Sequence, residues 1–223
     1  MKLMTEVRMS TETAMVRKPN FGTAARGMLV LCAMFALTLG AWASPTTLSN
    51  MQAAYNGETN ARAHYLAFAE QADKEGYGQV ASLFRAAARA EQVHAGNHAA
   101  VITGMKAVPE AKVGSFEVKS TRENLEAALK GETYERDTMY PDFVKQARAD
   151  RNAAAIKSLN LAKTAEAEHA KLYAAALQDL DQLKGTKGVT FFVCPTCGFT
   201  VRDMNFAKCP SCFTAKEKFE KVA

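Results

Sequence analysis

The sequence predicts a mainly α-helical protein, a four-helix bundle followed by a small cysteine-rich β module. Three observations predict it. A helix-forming segment repeats at an offset of 74 residues, each copy carries a Glu-x-x-His, and four cysteines fall within nineteen residues near the C-terminus. The 223 residues include 28 Lys and Arg against 23 Asp and Glu, with 48% apolar residues. That composition excludes a collagen-like, low-complexity or wholly disordered chain.

The chain opens with a basic stretch (Arg17, Lys18, Arg26) and one apolar run, Met28 to Ala43, with small residues at Ala41 and Ala43. This reads as a secretory signal peptide cleaved after Ala43. Sixteen apolar residues fall short of the roughly 20 that span a bilayer, so an uncleaved N-terminal anchor is the alternative. The chain is accordingly expected to be exported, to the periplasm after cleavage, or held at the membrane by this segment. Cleavage leaves 23 basic against 21 acidic residues. So small an excess gives no basis for a nucleic-acid partner.

Four helices follow. Residues 49–74, 78–103, 121–149 and 152–182 are rich in Ala, Leu, Gln, Glu and Lys, with turn residues between them. Gly76 and Gly78 separate the first pair, Gly104 ends the second helix, and Ser120 with Glu123 forms a capping box for the third. Pro141 falls inside the third helix, where it should kink the helix or free a carbonyl. The stretch 105–120 is too long for a hairpin and predicts one crossover connection, as in ferritin-like bundles. Asn50–Thr59 returns as Asn124–Thr133 with six of ten positions identical, so the two helix pairs are related by an internal repeat.

Each helix carries acidic or imidazole side chains in the middle of its apolar stripe. Glu58 lies between Met51, Ala54 and Tyr65, Phe68; Glu91 and His94 between Phe84, Ala87 and Ile102; Glu132 and Glu135 between Leu125, Ala128 and Met139, Phe143; Glu166 and His169 between Leu159, Ala162 and Tyr173. Spacings of three, four, seven and eight put them all on the core side. Five ionised carboxylates there would repel one another and lose hydration, at about several kcal/mol each. Two divalent metals would nearly balance them. A Glu on two helices with Glu-x-x-His on the other two is the general pattern of di-iron and di-manganese bundles. His64 and His98 stand outside this pattern and read as packed or exposed side chains, although His98 is one turn beyond His94.

The tail holds Cys194-x-x-Cys197 and Cys209-x-x-Cys212, two knuckles that supply four thiolates for one tetrahedral metal, iron or zinc. Val189–Val193 is a strand pattern, and Lys184–Gly188 reads as a flexible joint.

With these residues the chain resembles the rubrerythrin family, in which a ferritin-like di-iron domain precedes a rubredoxin-like domain. The resemblance rests on Gly57-Glu58, Glu91-Gln-Val-His94, Gly131-Glu132-Thr-Tyr-Glu135, Glu166-Ala-Glu-His169 and both knuckles. It divides the chain into a leader (1–43), a di-iron bundle (44–185) and a rubredoxin-like domain (186–223). It implies that Glu91 and Glu166 bridge two irons, that Glu58 serves the first, and that Glu132 and His169 serve the second. Glu135 and His94 would exchange on the first iron with redox state. Tyr65 and Tyr140 would hydrogen-bond ligand carboxylates. A third iron would sit on the four cysteines, with zinc possible there. Phe213 departs from the glycine usual after the last cysteine, which predicts a looser second knuckle.

The function so implied is a non-haem di-iron peroxidase that reduces hydrogen peroxide to water in oxidative-stress defence. Electrons would come from an electron-donor protein or reductase through the cysteine-bound iron. Because the joint is short, a head-to-tail homodimer with transfer between subunits is expected. A ferroxidase and a zinc-stapled metal-binding protein are the alternatives.

Overall fold

The computed structural model describes residues 46–223; the expected leader lies outside them. Helix α1 (Thr47–Lys74) starts at Thr46, whose hydroxyl accepts from Ser49 N while the Ser49 hydroxyl accepts from Thr46 N. A tight turn with Gly76 at φ +80° leads into α2 (Gly78–Gly104). The Ser120–Glu123 capping box opens α3 (Thr121–Tyr134). Pro141 does not simply bend the helix that follows. Residues Glu135–Met139 form one turn of π-helix before α4 (Tyr140–Ala149), and Tyr140 N donates to Glu135 O, five residues back. The wider turn accommodates a residue that has no N–H to offer and whose ring would clash with the carbonyl four residues earlier. Asn152 caps α5 (Ala153–Gln178), which passes into a 3₁₀ turn at Leu180–Leu183, so the regular helix stops short of the expected 182.

The crossover lies along α1 and is held by a ladder of amide side chains. Gln52 Nε2 donates to Val108 O at 2.6 Å and Gln52 Oε1 accepts from Glu110 N at 3.1 Å. Asn56 Oδ1 accepts from Lys112 N at 2.8 Å, and Asn60 Oδ1 from Gly114 N at 2.8 Å.

Helices α1 and α2 pack along one another, α3 and α4 pack on α5, and α2 meets α5. Their apolar side chains segregate into two clusters. One holds Tyr65, Phe68, Phe84, Leu125 and Tyr173; the other holds Met51, Ile102, Tyr140 and Leu159. On every helix the Glu and His positions fall between the two, so a polar layer is sealed at both ends by hydrocarbon.

After the bundle, β1 (Phe191–Val193), β2 (Thr200–Val201) and β3 (Glu220–Val222) form an antiparallel sheet in the order β2-β1-β3. The joint expected to be flexible is pinned to the α1–α2 turn: Gly185 N donates to Gly76 O at 2.8 Å, Gly78 N to Thr186 O at 3.1 Å, and Val189 N to the Ser82 hydroxyl at 3.1 Å. A Cβ at Gly78 would stand 2.5 Å from Thr186 O, so this approach needs glycine. Arg89 of α2 then grips Glu220 of β3 with two hydrogen bonds, at 2.6 and 2.9 Å. The module is thereby folded back onto the bundle within the one chain described. No helix among the described residues is long and apolar enough to cross a membrane.

Candidate metal centres

Two overlapping groups of buried side chains occupy the polar layer: Glu58, Glu91, His94 and Glu166, and Glu91, Glu132, Glu166 and His169, with ligand atoms of each group within 4.8 Å of one another. Glu91 and Glu166 belong to both groups, which is the arrangement of carboxylates shared between two metals. His94 Nδ1 lies 2.7 Å from Glu91 Oε2 and 3.0 Å from Glu166 Oε1. His169 Nδ1 lies 2.9 Å from Glu166 Oε2 and 3.4 Å from Glu91 Oε1. Both imidazoles therefore turn Nδ1 inward. Glu135 is in neither group. It stands on the π turn, half-buried, and lines a cleft of about 230 Å³ with Gly57, Asn60, Ala61 and His64.

The donor set fits cations. Glu58 Oε2, Glu91 Oε1, Glu132 Oε2 and both Glu166 oxygens are buried without a hydrogen-bond partner, a costly condition that coordinate bonds would relieve. The ionisations tell the same story. Burial, reinforced by the neighbouring carboxylates, pushes Glu58 and Glu135 well above the usual carboxylate range and Glu132 to about 8. Burial would raise Glu91 too, but His94 and His169 hold it below its ordinary value. Burial would lower both histidines; Glu166 and Glu91 beside His94, and Glu132 beside His169, raise them instead. In the protein alone protons supply the positive charge, and divalent metals would displace them.

Two tyrosines steady the layer from opposite sides. Tyr65 OH donates to Glu132 Oε1 at 2.7 Å, and Tyr140 OH donates to Glu58 Oε1. Burial raises both phenols well above their ordinary value, so they remain donors.

The cysteines converge through two matching turns. Gly198 N donates to Cys194 O at 2.9 Å and Phe213 N to Cys209 O at 3.0 Å. Gly198 has φ +74° and Phe213 φ +61°. The second knuckle is therefore as tight as the first despite Phe213, which adopts the glycine conformation instead of loosening the turn. The Sγ atoms of Cys194 and Cys212 are 3.5 Å apart, and those of Cys197 and Cys209 are 3.6 Å apart. These separations are far beyond a disulfide bond and close to the roughly 3.8 Å edge of a tetrahedron of sulfurs about 2.3 Å from a metal.

The segment after Cys197 caps the bundle's imidazoles. His94 Nε2–H donates to Cys197 O at 3.0 Å; His169 Nε2–H donates to the Thr200 hydroxyl at 3.1 Å, which donates on to Gly198 O at 2.9 Å. A carbonyl only accepts, so the His94 proton sits on Nε2 and Nδ1 offers its lone pair to a metal. A Cβ at Gly198 would stand 2.2 Å from His94 Nε2. Sequence reasoning missed Thr200 and the Cys197 carbonyl, since nothing in the spacing ties the segment after the first knuckle to the bundle. It also left His98 unassigned: the ring is fully buried and bonds Ser158 and Tyr140. Its position four residues after His94 was the available signal.

Comparison with known proteins agrees with this geometry. The family profile described as Rubrerythrin matches residues 49–177. Nigerythrin from Nitratidesulfovibrio vulgaris is 39% identical over 175 residues, which cover 78% of this chain and 85% of the relative. Rubrerythrin-2 from Clostridium acetobutylicum is 33% identical, covering 78% of this chain and 95% of its own. The structure of fully reduced nigerythrin superposes with TM-score 0.74 at 36% identity, over 83% of this chain and 91% of that one. A bacterioferritin from Mycobacterium tuberculosis, at 22% identity and TM-score 0.57, covers 63% of this chain and shares the fold alone. The carboxylate–histidine groups fit a di-iron centre and the four thiolates fit a single iron. A likeness of this extent, reaching past the helices into the cysteine module, means that the chain belongs to the rubrerythrin family.

Proposed function

We propose that this chain reduces hydrogen peroxide to water in oxidative-stress defence, with electrons relayed from the cysteine site to the bundle. The observation that carries the reading is the hydrogen bond from His94 Nε2 to Cys197 O, 3.0 Å long. Cys197 offers its sulfur to one centre, and its carbonyl holds an imidazole of the other. When bound, two ferrous irons supply the two electrons that splitting the O–O bond requires, and a single four-thiolate iron supplies them in turn. The chain's own residues do the rest. Glu91 and Glu166 would hold two cations together, Tyr65 and Tyr140 fix Glu132 and Glu58, and the cleft lined by Gly57, Ala61, His64 and Glu135 would admit a molecule of peroxide's size. Glu135, on its π turn, would be the carboxylate that changes partners with His94. An electron-donor protein or reductase would meet the tail near Cys212, the partly exposed cysteine, beside the 74% exposed Phe213.

The test is metal content and the visible spectrum of the full chain, reduced anaerobically and mixed with one equivalent of peroxide. The expected result is about three irons per chain, two for the helices and one for the cysteines, with the iron–thiolate band bleached on reduction and restored faster by peroxide than by air. Two irons with zinc on the cysteines and no such band would overturn it in favour of a ferroxidase.

Two proposals stand apart from this chemistry. A head-to-tail homodimer would place the same contacts between copies; mixing a Cys197→Ser chain with a His94→Ala chain restores turnover only if modules exchange. Export follows from the leader, and its check is N-terminal sequencing of the mature protein, expected to begin at Ser44.

A further inference from the structure

The cleft that Glu135 borders is far larger than hydrogen peroxide needs. Its volume is about 230 Å³, whereas a water molecule takes up about 30 Å³ in the liquid and hydrogen peroxide adds one oxygen to that. The room comes from glycine and alanine on two helices: Gly57 and Ala61 on α1, and Ala127, Ala128 and Gly131 on α3. A Cβ at Gly57 would stand 4.0 Å from Glu135 Oε1, which sets this end of the cleft beside the carboxylate. The other end lies at Phe68, about 16 Å further along α1. There Phe68 and Ala127 also border a second cleft, of about 380 Å³, whose walls include Glu117, Lys119 and Lys130. A passage of this size would take organic hydroperoxides as readily as hydrogen peroxide unless a side chain narrows it.

His64 is that side chain. Its ring lines the cleft between the two ends, one helical turn before Phe68. The other rings of the wall, Tyr65 and Phe68, are buried, and Tyr65 is tied to Glu132. His64 is only half-buried and is held from outside by Phe116 of the crossover, with ring centroids 4.1 Å apart. Phe116 also stands edge-on to Phe68 at 6.4 Å and is itself 38% exposed. Asn60, which lines the same cleft, fixes the crossover two residues before Phe116 by accepting from Gly114 N. We propose that His64, braced by Phe116, sorts peroxides by size on their way to Glu135, passing hydrogen peroxide and turning back branched alkyl hydroperoxides. The proposal rests on the peroxide-reducing reading and names the substrate class of that site.

The selection is steric. Either substrate would be split in the same way: the O–O bond breaks on taking two electrons, from the ferrous pair of that reading, and two protons from solvent. Hydrogen peroxide gives two waters, and an alkyl hydroperoxide gives an alcohol and a water. What differs is the alkyl group, which meets the His64 ring and passes only when that ring gives way, a clash built against the larger substrate. Phe116 resists the movement from the outer side, while the glycine and alanine walls nearer Glu135 offer no further obstacle.

The experiment compares the iron-loaded full chain with His64→Ala, Phe116→Ala and His64→Phe. The first quantity is the rate of re-oxidation by tert-butyl hydroperoxide divided by that by hydrogen peroxide, a ratio that cancels differences in metal loading. The second, read by NMR on the zinc-filled protein, is the rate at which tert-butyl alcohol enters the cleft, from exchange broadening of the Ala61 and Ala128 methyl signals. His64→Ala is expected to raise both by about tenfold. Phe116→Ala should raise both by less, and His64→Phe, which keeps a ring of similar size, should change neither. An unchanged value of either quantity in His64→Ala overturns the gate, as does a His64→Phe chain that behaves like His64→Ala. If the parent chain is oxidised no faster by hydrogen peroxide than by air, the peroxide reading fails, and the alcohol measurement still tests the gate.

Discussion

The four cysteines lie within nineteen residues and are drawn to one point by two local turns, whereas the six carboxylate and imidazole side chains of the bundle span residues 58 to 169 and meet only when all four helices pack. The sulfur site needs little more than two positive φ angles and a short sheet. The bundle site needs two hydrophobic clusters to force like charges together, and it stores that repulsion until cations relieve it. One centre is a product of local backbone geometry and the other of tertiary structure, so the two should fail independently and in different ways.

The largest expected effect is on Glu166, which both bundle groups share. Glu166→Ala should empty the helices of metal while the tail retains its iron, and Cys209→Ser should do the reverse; metal analysis after gel filtration reads both. Because Glu166 faces both buried imidazoles, at 3.0 Å from His94 Nδ1 and 2.9 Å from His169 Nδ1, metal-free Glu166→Ala should melt lower than the metal-free parent. A variant that loses metal from both centres would break the comparison.

A smaller effect is expected where the two regions touch. Gly198→Ala sets a Cβ against His94 and a side chain on a φ of +74°, at a cost of about 1–3 kcal/mol. Metal content should hold while re-oxidation of the tail iron by peroxide slows in stopped-flow traces. An unchanged rate would mean that electrons do not cross at this contact. The smallest effect concerns the tail alone. Phe213→Gly should stabilise the second knuckle by about 1 kcal/mol, because a side chain with φ +61° is strained where glycine is not. Thermal loss of the iron–thiolate band would report it, with the bundle's melting unchanged.

The parts of this protein legible in its sequence follow the same division. Helix limits were readable to within a few residues because capping pairs such as Ser120–Glu123 and breakers such as Gly76 and Gly104 act locally. The Glu-x-x-His repeat exposed the bundle site because a helix converts spacing into direction, and the knuckles exposed the sulfur site because two intervening residues suffice for one turn. What stayed hidden depends on docking. The pinned joint arises from the approach of Gly78 to Thr186, the capping of His169 from Thr200 on a different element, and the bond between His98 and Ser158 from two helices sixty residues apart. Pro141 signalled a disturbance, but the choice of a π turn over a plain kink came from packing Tyr140 inward onto Glu58.

The crossover has a consequence for how this fold can change length. Four helical residues advance about 6 Å, and two extended residues advance about 6.6 Å, so Gln52, Asn56 and Asn60 read the backbone at Val108, Glu110, Lys112 and Gly114 like the teeth of a rack. The mesh admits steps of two. Adding one residue between 108 and 114 would turn the backbone groups beyond it away from their amides, while adding two would shift the engagement by a single tooth. Length in this family member is therefore quantised along the crossover, and paired one- and two-residue insertions, compared by melting temperature, would show the alternation.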